Sequence, residues 1–172
     1  MKSKLLLAIA MSLLLVIVPV SVALAATTAD VTVTATPSYV GISCNETAYN
    51  FGTVSASDIV QTWTSYFGVT NTSSIVIDVS IGVTTTSWSG GTGWTHSETA
   101  TPGADTAGLE ANAGGTWDTG DVIIRNASPL LIADDQAAST DFNWGMQLHA
   151  PTSFSDGEQK QIIVRLTAAA AS

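Results

Sequence analysis

The amino-acid sequence predicts an all-β protein, an antiparallel two-sheet β-sandwich behind a cleavable leader. Three observations carry this. Apolar residues recur at every second position through most of the chain after residue 29, the period of a strand with one buried face. Thr, Ser, Val, Ile and Gly dominate those residues, which is strand and turn chemistry. Turn residues separate the alternating runs at short intervals, and no stretch carries a convincing helical period.

The leader comes first. Lys2 and Lys4 form a basic start, Leu5 to Val18 is an apolar run broken by Ser12, and Pro19 precedes Ala23-Leu24-Ala25. Small residues at Ala23 and Ala25 fit a signal peptidase, so cleavage is expected between Ala25 and Ala26. The expected organisation is a signal peptide over 1–25, an N-terminal strand within 26–36 and one sandwich domain over 37–172. The product is expected to be secreted or held at the cell surface, without a membrane anchor after cleavage. The tail Ala168 to Ser172 carries no sorting motif or apolar span.

Strand expectations follow in chain order. Asp30 to Thr36 alternates Val31, Val33 and Ala35 with threonines, and Pro37 ends it. Tyr39 to Cys44 is a second candidate, followed by Tyr49, Phe51 and Val54. Trp63, Ser65, Phe67 and Val69 alternate up to the polar turn Asn71-Thr72-Ser73-Ser74, and Ile75, Ile77, Val79, Ile81 and Val83 resume the period. Trp63 is thereby expected in the core. Trp88 and Trp94 flank the glycine-rich loop 89–93, and Thr99 to Gly115 reads as a long excursion or two poor strands. Asp121 to Arg125 and Pro129 to Ala133 are further candidates. Phe142, Trp144, Met146 and Leu148 are then expected to pair as a hairpin with Ile162, Val164, Leu166 and Ala168 around the Asp156-Gly157 turn. Eight or nine such strands fit an Ig-like or jelly-roll-like sandwich.

Charge excludes one class of function. With the leader gone, Arg125, Lys160 and Arg165 face all 14 carboxylates, a formal charge of −11. Such a chain repels phosphate backbones, so no nucleic-acid partner is expected. Cys44 stands alone, so the domain has no internal disulfide and relies on core burial.

Several residues are candidates for chemistry. Asp118, Asp121, Asp134, Asp135 and Asp156 are loop carboxylates suited to calcium, but none follows the spaced calcium-loop pattern. His96 and His149 lack zinc-ligand spacing and read as surface or edge residues. Trp88, Trp94 and Trp117 lie in or beside glycine-rich loops; they either cap the sandwich or form a strip that stacks on cell-wall or matrix polysaccharide. Asn45, Asn71 and Asn126 head sequons at expected turns and are candidate N-glycosylation sites. No nucleophile elbow, zincin motif or phosphate loop is present, and no enzyme activity or cofactor is expected.

The order of these features resembles exported Ig-like surface proteins. The early strand Asp30 to Thr36, the Phe51-Gly52-Thr53-Val54 step and the Val69-Thr70-Asn71-Thr72 strand end before Ile75 to Val83 are similar to biofilm-fibre subunits of the TasA and camelysin kind and to WxL surface proteins. The chain departs from the latter in having Trp144-Gly145-Met146 where a Trp-x-Leu pair would stand. The resemblance implies a structural protein that assembles with copies of itself, donating Val31, Val33 and Ala35 to a neighbour. A carbohydrate-binding module and a viral or prophage structural protein are the alternatives.

Overall fold

A computed structural model describes residues 32–118 and 120–172. The expected leader, the Ala25–Ala26 cleavage point and Val31 lie outside the described residues. Ten strands and no helix occur among those described: β1 (Ile42–Cys44), β2 (Ile59–Gln61), β3 (Phe67–Asn71), β4 (Ile77–Val83), β5 (Thr95–Ser97), β6 (Thr106–Asn112), β7 (Val122–Ile123), β8 (Leu130–Gln136), β9 (Asp141–His149) and β10 (Val164–Ala170). They form two sheets. The larger has seven strands in the order β1-β3-β9-β6-β5, with β2 also on β9 and β7 also on β6; the smaller runs β10-β4-β8. The all-β, sandwich-like expectation therefore holds, but not every pair is antiparallel as expected: β5 and β6 run parallel.

One core joins the two layers. Ile77, Val79 and Ile81 of β4 are fully buried, and they pack with Val69, Leu109, Ile124, Trp144 and Leu148. Burying each such aliphatic side chain contributes roughly 1.5–3 kcal/mol, which accounts for a fold without disulfides. Phe67 and Trp144 stack across the β3–β9 pair with centroids 4.4 Å apart.

The Asn71–Ser74 turn carries the chain from one sheet to the other rather than closing a hairpin, because β3 pairs with β9 and β4 pairs with β8 and β10. Asn71 makes that crossing. Its buried amide donates to the carbonyls of Ile75, Gln136 and Ala137 at 2.9–3.1 Å, and its Oδ1 accepts the Ser73 N–H at 2.8 Å.

Three expectations are corrected. The expected hairpin between Phe142–Leu148 and Ile162–Ala168 does not form: β9 lies in the large sheet and β10 in the small one, since residues 150–163 are long enough to cross layers. Thr99–Gly115 contains a central strand, β6, which pairs with β5, β7 and β9. Its small residues suit this position, since a Cβ on Gly108 would lie 2.5 Å from the Ala100 carbonyl oxygen. Trp63 is not core but 83% exposed, because β3 begins only at Phe67 and a turn closed by Tyr66 N–H to Trp63 O precedes it.

The N-terminal segment is described only over 32–36. Residues up to Thr36 form a unit separate from Pro37–Ser172. Its described part, 32–36, is exposed and carries no strand, with Val33 85% exposed. An alternating segment becomes a strand only when a neighbour completes its backbone hydrogen bonds.

Candidate functional site

The Pro37–Ser172 unit contains a large open groove, with a cavity of about 1070 Å³. Its floor is the inner face of the large sheet, Leu109 of β6 with Met146 and Leu148 of β9. One side is the segment 48–54, where Tyr49 meets Phe51 and Tyr66 edge to face at 4.9 Å. The other is the approach to β10, with Ile162 and Val164. Trp88, Trp94 and Phe154 line it as well, Trp94 stacking on Phe154 at 5.4 Å.

The groove reaches the start of β10, where Val164 lines it. β10 pairs with β4 along all seven residues, and among the described residues nothing pairs with its other edge. Val164, Leu166 and Ala168 on its inner face are only half-buried, whereas their β4 partners Val83, Ile81 and Val79 are buried. An apolar row beside an unpaired strand edge is an arrangement that takes up another strand.

A strap closes one part of this groove. Lys160 Nζ donates to the Gly90 carbonyl at 2.7 Å and pairs with Asp156, whose carboxylate also accepts the Thr92 and Glu158 N–H groups. The hydrogen bond from Lys160, helped by those backbone donors, lowers the Asp156 pKa from 3.8 to about 2. A depressed carboxylate stabilises the fold above its unfolded pKa and ceases to do so as pH falls through the folded one. Thermal melts of Asp156→Asn should therefore lie below wild type at pH 7, with the gap closing between pH 3.8 and about 2. An unchanged gap across that window would show that the strap is not electrostatic.

The expected calcium carboxylates do not converge. Asp118 and Asp121 brace the β6–β7 loop, with Asp121 Oδ2 accepting the Asp118 N–H at 2.8 Å, and Asp156 belongs to the strap. Asp134 and Asp135 instead gather with Asp78, a residue not singled out in the sequence, with carboxylate oxygens within 4.8 Å of one another. These three are the group among the described residues that could hold a cation. A hydrogen bond with Asp78, then the charge of Asp135, holds the Asp134 pKa above the usual carboxylate range. The raised pKa means that folding strengthens as pH falls through it and that the charged form is unfavourable at neutral pH. Asp134→Asn should accordingly raise the melting temperature at pH 7 and change it little near pH 3, as read by scanning calorimetry.

The aromatic and sequon candidates also sort differently. Trp88 and Trp94 are buried, so they form no exposed sugar-binding strip, and neither indole N–H has a partner among the described residues. Trp117 is half-buried and donates to the Thr62 carbonyl at 3.2 Å. Asn71 cannot carry a glycan in the folded chain, because its amide nitrogen is buried and fully used. Asn126 is half-buried with its amide on the Val83 carbonyl, which leaves Asn45 as the exposed sequon. His96, expected at the surface, is buried with Nε2 2.7 Å from the Ile124 carbonyl; half-buried His149 pairs with Glu110 at 2.9 Å. Cys44 is half-buried, its thiol donating to the Glu46 carbonyl.

No protein-family model matches the chain, and neither a curated protein nor a solved structure matches it.

Proposed function

We propose that this is an exported, non-enzymatic structural protein that assembles with copies of itself into an extracellular filament or lattice, each copy lending its N-terminal strand to the groove of the next. The observation that carries the reading is the groove that ends at Val164 of β10, a strand whose outer edge nothing pairs with among the described residues. Its complement lies in the same chain. Asp30 to Thr36 has seven residues, as does β10, and a seven-residue strand spans about 23 Å.

Val31, Val33 and Ala35 would face the groove, with the threonines outward. Backbone hydrogen bonds to β10 would supply affinity, and the pockets between Tyr49, Met146 and Val164 would set register. A strand's carbonyls would also offer acceptors to the unpartnered indole N–H groups of Trp88 and Trp94. Cleavage before Ala26 would free the arm after export and so delay assembly until the chain is outside. With three strands in its small sheet, the fold sits nearer the Ig-like arrangement than the jelly roll. This reading keeps the resemblance to TasA- and camelysin-type subunits as its nearest analogy.

Electron microscopy and analytical ultracentrifugation of two chains test it. The chain beginning at Ala26 should form fibres or large oligomers, and the chain beginning at Pro37 should remain monomeric. A monomeric Ala26 chain at high concentration, or equal assembly without the arm, overturns the proposal.

A further inference from the structure

A second site lies apart from the groove, where the β2–β3 and β6–β7 loops meet. Trp63 projects from the first loop at 83% exposure and Trp117 is half-buried in the second, both lining a shallow cavity of about 460 Å³. None of this cavity's lining residues lines the groove.

The platform is rigidly built from beneath. Thr62 is buried, and its backbone N–H and Oγ1 bind the Met146 carbonyl and N–H at 2.9 and 2.8 Å. Gly145 lets this loop seat against β9, since a Cβ there would lie 2.7 Å from the Thr64 Cα. With Thr62 held inward, Trp63 is the next residue and stands outward. On the other side, the Asn112 amide binds the Thr116 carbonyl at 3.0 Å and its Oδ1 accepts the Gly115 N–H at 2.6 Å. Trp117 is fixed to the opposite loop through the Thr62 carbonyl. The Trp117 indole and the backbone that carries Trp63 are thus held before any ligand arrives, which lowers the cost of binding.

We infer that this Trp63–Trp117 platform is a binding site for a neutral polysaccharide chain. A pyranose ring presents an apolar C–H face and a rim of hydroxyls; an exposed indole suits the first, and the Gln61 amide and the hydroxyls of Thr64 and Thr116 suit the second. No residue lining the cavity carries a charge, in a chain of formal charge −9, so an anionic chain would find repulsion without a compensating cation. Seven lining residues fall well short of the roughly 20–30 per side of a standard protein interface. The site shares Trp117 with the Trp88, Trp94 and Trp117 strip that the sequence suggests but has the exposed Trp63 in place of the buried Trp88 and Trp94, and it would tether an assembled filament to matrix or wall glycan.

The test titrates the mature chain with cellohexaose, laminarihexaose and chitohexaose, with polygalacturonate as the anionic comparison, by calorimetry and tryptophan fluorescence. At least one neutral oligosaccharide should bind with a Kd of about 1 mM or tighter. Trp63→Ala should weaken it at least about tenfold, and Trp63→Tyr, which retains a ring, should recover most of the loss. Circular dichroism confirms that both variants fold. Absence of binding to every neutral probe, binding indifferent to Trp63→Ala, or preference for polygalacturonate overturns the inference. So does a Trp63→Ala variant that changes the sedimentation of the protein without any glycan response, since that would mark a contact between copies.

Discussion

Replacing Asn71 by Asp should unfold the protein at temperatures the wild type tolerates easily. The side-chain amide fills a buried site formed by three carbonyl oxygens, and it is the donor for all three. A carboxylate there has no proton to offer and places negative charge against three acceptors in a poorly solvated position. Leaving a buried charge uncompensated costs about 3–5 kcal/mol, which at roughly 3 °C per kcal/mol for a chain of this size lowers the melting temperature by about 10–15 °C. Asn71→Ala removes the donors without adding charge and should cost less, about 2–3 kcal/mol. Thermal and urea denaturation of the two variants side by side checks this. Equal, small effects would mean that the sheet crossing does not depend on this amide.

Gly108→Val should be nearly as damaging, for a different reason. β6 is sandwiched between β5 and β9, and the space over Gly108 is taken by the Ala100 backbone, which holds a positive φ of 57°. A β-branched side chain would require that backbone to move, together with the start of β6. Overpacking against a well-filled site costs about 1–3 kcal/mol, and backbone rather than side-chain contacts place this case at the upper end. A drop of about 10 °C is expected, with loss of the near-ultraviolet tryptophan signal from Trp88 and Trp94. Gly157→Val, at an open loop position where a Cβ meets nothing within 4 Å, should leave the melting temperature nearly unchanged.

What the sequence makes legible depends on how far a period of two can inform. It identifies the buried faces of β3, β4 and β9, because alternation is reported by residue type alone: Phe67 and Val69, then Ile77, Val79 and Ile81, all reach the core. Period cannot name a strand's partner, which is why β9 and β10 look like a hairpin in sequence and lie in different sheets. Trp63 falls into the expected core only when the alternation is extended past the start of β3, where the backbone has already turned. β6 is hidden for the opposite reason: Ala107, Gly108 and Ala111 are small, and at Gly108 the Ala100 backbone leaves no room for a side chain, so a central strand carries a weak hydrophobic signal.

The sites are less legible than the fold. That the outer edge of β10 pairs with nothing among the described residues is a property of topology that no residue announces. The sequence does contain both halves of the proposed joint, the alternating Val31, Val33 and Ala35 and the inward row Ile162, Val164 and Leu166, without indicating that they belong together. Asp78 falls inside the alternation that reads as a strand and so escapes a search for loop carboxylates, whereas Asp134 and Asp135, read as loop residues, lie in β8 and meet it through the β4–β8 pairing.

Disulfide trapping addresses the joint most directly. In a Cys44→Ser background, Val33→Cys on the arm and Val164→Cys at the groove are combined in the chain beginning at Ala26 and oxidised during assembly. Non-reducing electrophoresis should give a ladder of covalent multimers that collapses to monomer on reduction, and neither single cysteine should extend beyond dimers. A monomer cross-linked to itself would show that the arm fills its own groove, and a failure to cross-link would show that it fills none.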